Sequence, residues 1–85
     1  MLLNYKNKII NNMENIINVL IEKTKNGYSA FSNEVAGVTY ANSIQEIKEN
    51  FTEVIDMYID YLNEQEDYNK ARILNNSEIK YYLEL

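Results

Sequence analysis

Apolar residues recur three and four positions apart over residues 43–62: Ile44, Ile47, Phe51, Val54, Ile55, Tyr58, Tyr61 and Leu62. That spacing places them on one stripe of an α-helix, because side chains three and four apart share a face. Gln45, Glu49, Thr52, Asp56 and Asp60 fall on the opposite side, which suits water. Ser43 precedes the stripe and Glu46 follows it by three residues, the pattern of a capping box. Such a helix spans roughly 30 Å. It needs another surface on which to bury its stripe.

The remaining chain supplies that surface as strands. The segment Ile16–Lys23 is β-branched, with Ile17, Val19 and Ile21 on one side and Ile16, Asn18 and Leu20 on the other. Two apolar faces predict a central strand. It stops at Thr24-Lys25-Asn26-Gly27, where the Asn-Gly pair predicts a tight hairpin turn with positive φ angles. Residues 28–32 return as a second strand, with Tyr28 and Ala30 on one face and Phe31 on the other. Residues 33–36 form a polar break, and residues 37–41 a third strand leading through Asn42 into the Ser43 cap. After the helix, residues 63–69 are acidic and polar. Residues 70–74 form at most one further helical turn. Ile79, Tyr81, Leu83 and Leu85 then alternate with Lys80, Tyr82 and Glu84, as in a half-buried strand.

The expected order is therefore β-β-β-α-β, an α+β fold. A three-strand meander followed by a helix on one face makes the last strand parallel to the first. A right-handed crossover sets it beside that strand. The prediction is a four-stranded mixed sheet of order 3-2-1-4, covered by one long helix on one face. Residues 1–13 carry no clean period and are expected to be an N-terminal extension, with a single domain over residues 14–85. One uncovered sheet face should remain, bearing aromatics from Tyr28 with Ala30, or from Phe31, and from the last strand. Such a face suits a partner or self-association.

Composition narrows the function. With 85 residues, a chain of this size buries only about 60–65% of its unfolded surface. It has no Cys or Pro, so neither disulfides nor thiolate metal sites can brace it, which fits a reducing cytoplasm. The net charge is −5, and its eight Lys and Arg residues are scattered, which argues against nucleic acid as the main partner. No segment has the apolar length of a membrane span. Without His or Cys, imidazole and thiol chemistry are excluded. Only Glu22 is acidic on the first strand, and the helix carboxylates lie toward solvent, so a metal-dependent nuclease is not expected. The two glycines form no phosphate-binding loop. No catalytic residue, metal ligand or cofactor is expected.

One resemblance adds to this. The run Ile21-Glu22-Lys23-Thr24-Lys25-Asn26-Gly27-Tyr28-Ser29-Ala30 is followed by Val35-Ala36-Gly37-Val38, by Asn42-Ser43-Ile44-Gln45-Glu46, and by Glu49-Asn50 and Glu53-Val54-Ile55. In order and spacing these resemble the HicB antitoxin family, whose pattern is an "IEKD-DGY-A" hairpin, an "LPGV" segment and a "G-T-EEA--N--EAI" helix start. The match covers residues 17–61, with residues 79–85 in the place of the family's last strand. Ala36 stands where the family has Pro, and Ala41-Asn42 where it has Gly. The family's C-terminal DNA-binding segment has no counterpart, so no DNA-binding module is expected.

The resemblance implies a partial ribonuclease-H-like fold. It also implies inhibition by occlusion of a small basic ribonuclease, a HicA-like toxin. The acidic charge suits such a partner. The uncovered sheet face, in turn, leads to the expectation of a homo-dimer or larger homo-oligomer. Candidate contact residues are Glu49, Glu53, Asp56 and Asp60 on the helix and Tyr28 on the open sheet face. The alternative is a homo-oligomeric interaction module, or a phage- or mobile-element-encoded inhibitor of another protein, without a toxin.

Overall fold

The computed structural model describes residues 15–84, so the expected extension over residues 1–13 lies outside the described residues. The elements are β1 (Ile16–Lys23), β2 (Tyr28–Ser32), β3 (Val38–Ala41), α1 (Ile44–Glu64), α2 (Tyr68–Asn75) and β4 (Glu78–Glu84). The strands form one sheet of order β3-β2-β1-β4. β1 pairs antiparallel with β2 and parallel with β4, and β2 pairs antiparallel with β3. The mixed sheet and its strand order agree with the expectation.

Register separates the two faces. Ile17, Val19 and Ile21 of β1 lie opposite Ile79, Tyr81 and Leu83 of β4, while Ile21 also meets Ala30 of β2. This is the covered face. Ile17, Val19, Ile21 and Ala30 join Ile47, Phe51, Ile55 and Leu62 of α1 in the core, where Phe51 is completely buried. Apart from Tyr61, the stripe read from the sequence is thus the packing face of α1. Its start is set by Ser43, whose Oγ accepts the Glu46 backbone N–H at 3.1 Å. Among the described residues no return bond from the Ser43 N–H to the Glu46 carboxylate is formed, so the box is half made.

Three differences have physical causes. First, the hairpin after β1 is a four-residue loop, closed by the Thr24 N–H donating to the Gly27 carbonyl at 2.8 Å, with Lys23 opposite Tyr28. Neither Asn26 nor Gly27 has positive φ. Gly27 is required for a different reason: a Cβ there would stand 2.4 Å from the Ala41 carbonyl oxygen, where β3 ends. The positive φ falls instead on Gly37, at +137°, so the third strand begins only at Val38.

Second, a full helix, α2, follows α1. Glu66 takes φ +62° and turns the chain, and the Asp67 carboxylate accepts the Lys70 backbone N–H at 3.4 Å. Ala71 and Leu74, three apart, are buried in the common core. The order is therefore β-β-β-α-α-β. Two apolar positions are too few to declare a period in the sequence.

Third, the 33–36 break is tied down. Val35 is buried, and the Glu34 carboxylate accepts the Asn18 backbone N–H at 2.6 Å and the Ser32 hydroxyl at 3.2 Å. β1 extends past the end of its pairing with β2 at Val19 and Ser32. The Glu34 carboxylate thus stands in for a ladder acceptor. No helix among the described residues is long and apolar enough to cross a membrane.

Candidate protein-interaction site

On α1 the acidic side chains Glu46, Glu49, Glu53, Asp56, Asp60 and Glu64 are spaced by three or four and are all exposed. They form one row along a single flank of the helix. Like charges at these spacings repel by about 0.2–0.5 kcal/mol per pair, so the row is a local cost to the helix. Lys48 does not relieve it: its Nζ lies 4.9 Å from the centre of the Tyr81 ring, on the side of the helix toward β4. Four of the five residues singled out from the sequence, Glu49, Glu53, Asp56 and Asp60, thus fall together.

Tyr28 does not join them. It shares the pleat of Ala30, the face that α1 covers, and packs half-buried against the core. Its ring receives Lys23 Nζ at 4.9 Å, the residue opposite it across the hairpin. Side chains alternate strictly along a strand, so Tyr28 and Ala30 cannot both leave the core face while Ala30 is buried. The placement of Tyr28 on the open face is therefore corrected.

The open face belongs to Phe31. Register aligns Val38, Phe31, Leu20 and Tyr82 in one row that crosses all four strands. Val38 and Tyr82 are each about half exposed, at 52% and 51%. Beside this row lie Tyr40, Ser29, Glu22 and Glu84. The expected aromatic face is present, with these residues in place of Tyr28.

Between the acidic row and the core stripe, α1 carries a second apolar strip that the sequence reading did not separate. Val54, Met57, Tyr58 and Tyr61 border an open groove of about 470 Å³, whose other wall is Ala36, Gly37 and Val38. Met57 is 67% exposed and Tyr61 52%. Tyr61 stacks on Tyr58, ring centroids 6.1 Å apart and planes 17° from parallel. The Lys70 ammonium of α2 donates to the Tyr58 hydroxyl at 3.2 Å, fixing the inner ring of that stack. Tyr61, which its spacing assigns to the buried stripe, lies instead on this exposed strip together with Met57, which the stripe does not include. The available signal was width: the apolar arc of α1 is broader than one sheet face can cover.

A second hollow, of about 520 Å³, lies between the β1–β2 turn and the start of α1. No buried side-chain polar atom among the described residues lacks a partner. Nor is any group of three or more His, Cys, Asp or Glu among the described residues arranged to hold a metal ion. No family model, curated protein or solved structure matches the chain.

Proposed function

We propose that this chain is an antitoxin-like inhibitor that binds a small basic ribonuclease toxin and occludes its RNA-binding face. The observation that carries the reading is the acidic row on α1. Six exposed carboxylates on one flank, in a chain of net charge −5, form a surface complementary to a protein that must itself attract RNA phosphates. The HicB-like motif order from residues 17 to 61 agrees with this reading, and so does the sheet of order 3-2-1-4. The chain would act by contact alone, without a cofactor.

The test is co-expression with the product of the adjacent open reading frame. That product alone should arrest growth, and this chain should restore it. Glu53→Lys with Asp56→Lys should abolish the rescue. A rescue unchanged by that pair would remove the helix face from the contact.

A second reading, a homo-oligomeric interaction module, is favoured by the open-face row of Val38, Phe31, Leu20 and Tyr82. Under it the chain sediments as a dimer or larger, and Tyr82→Lys with Phe31→Lys returns it to a monomer.

A further inference from the structure

The groove beside α1 has two unlike banks, and that asymmetry specifies an occupant. One bank is the exposed strip of Val54, Met57 and Tyr61, with the carboxylate row immediately beyond it. The other is Ala36, Gly37 and Val38, uncharged and slender. Gly37 is a requirement of this shape, because a Cβ on it would meet Val54 Cγ1 at 2.8 Å. The lining is apolar but for the tyrosine hydroxyls, of which that of Tyr58 is taken by Lys70, and the carboxylates lie on one side only. From Val54 to Tyr61 the strip covers two helical turns, roughly 10 Å along the axis, and the carboxylates extend it at both ends.

We propose that this groove receives a cationic amphipathic helix of a partner protein, its apolar side seated between Val54, Met57 and Tyr61 and its lysines or arginines lying along Glu49, Glu53, Asp56 and Asp60. The proposal rests on the reading that the partner is a basic protein, and names the part of that partner which makes contact. A helix presents anchors at three- and four-residue spacing, matching a strip built at the same spacing on α1. Met57, with its flexible thioether, can adapt to the anchor it meets. Strand addition at the neighbouring edge is a poorer fit, since β3 is only four residues long. A second copy of the chain is also a poorer fit. Each copy carries a net charge of −5 and the same exposed carboxylate row, so a second copy meets like charge with like.

The test uses the full chain and a fluorescent peptide of Leu and Lys, about 18 residues and five helical turns long, with Leu recurring at helical spacing. A scrambled peptide of identical composition is the control. Fluorescence anisotropy should show the amphipathic peptide binding at least about tenfold more tightly than the scrambled one, a difference of about 1.4 kcal/mol. Met57→Ser with Tyr61→Ser, at two exposed positions, should remove that advantage. Glu53→Gln with Asp60→Gln should flatten the salt dependence. Equal binding of both peptides overturns the proposal, as does a serine variant that binds like wild type. So does a chain that sediments as a dimer and must dissociate to bind, which assigns the groove to a second copy. The co-expression assay separates this proposal from the wider reading. Rescue lost in Glu53→Lys with Asp56→Lys but kept in the serine variant overturns the groove and leaves the basic partner standing. Peptide binding without neutralisation of the adjacent gene product overturns the antitoxin reading and leaves the groove.

Discussion

The rings of Tyr58 and Tyr61 stack nearly parallel, 6.1 Å apart, with Tyr58 packed against the core and Tyr61 half exposed at the groove. The inner ring is architecture and the outer one is surface. Tyr58→Ala should therefore destabilise the chain by about 2–4 kcal/mol, since it removes a packed ring and the acceptor of the Lys70 ammonium. Tyr61→Ala should cost about 1 kcal/mol or less, the scale of one aromatic pair, while weakening partner binding at least tenfold. Urea unfolding and binding titration on the two variants check this division. Equal stability losses would show that Tyr61 belongs to the core.

The turn after β1 offers a contrast between neighbours. Gly27→Ala brings a Cβ against the Ala41 carbonyl oxygen, a backbone atom that cannot swing aside, and should cost about 1–3 kcal/mol. Asn26→Ala should change stability by less than about 0.5 kcal/mol, because Asn26 is exposed and its φ is not positive. A large loss at Asn26 in chemical denaturation would restore the turn chemistry read from the dipeptide.

The cap makes a similar division. Ser43→Ala should destabilise the chain by about 1 kcal/mol, through loss of the hydroxyl that accepts the Glu46 N–H. Glu46→Gln should change stability by a few tenths of a kcal/mol at most, since the return half of the box is not made and loss of the dipole term is offset by relief of repulsion from Glu49. Thermal melts of the two variants measure both.

The acidic row sets stability against binding. Glu53→Gln with Asp60→Gln removes repulsion from neighbours three and four residues away, and should raise stability by about 0.5–1 kcal/mol. Added salt should raise the melting temperature of the wild-type chain and do less for the variant. The same variant should bind a cationic partner more weakly. Stability gained where binding is lost is the signature of a surface kept for function.

How far the sequence was legible follows from the length of each pattern. The helix stripe runs through Ile47, Phe51, Ile55 and Leu62, long enough to average out exceptions, and it located both α1 and the face that α1 covers. Strand order followed from connection rules once β1 showed apolar residues on both sides. α2 was obscured because Ala71 and Leu74 are its only buried positions. The open face was ambiguous because β2 is five residues long, with an aromatic on each side, Tyr28 and Phe31. Only the burial of Ala30 decides between them, and that depends on tertiary packing. Of the proposed contact surface, the carboxylates were legible by spacing. The groove was not, because Gly37, Val38 and Met57 meet only once the sheet is built.

The pairing of β4 with β1 also bears on how the chain comes off the ribosome. Ile16 lies opposite Glu78, so the strand at the centre of the sheet acquires its parallel neighbour last of all. Hairpins at β2 and β3 can close soon after they emerge. Throughout synthesis of α1 and α2, however, β1 keeps one row of backbone groups unpaired. Contacts so distant in sequence are slow to form, and an unpaired edge beside exposed aliphatics invites chaperones, proteases or neighbouring nascent chains. In refolding from denaturant, pulsed hydrogen exchange should therefore show protection of the β1–β2 hairpin amides before that of the β1–β4 pair.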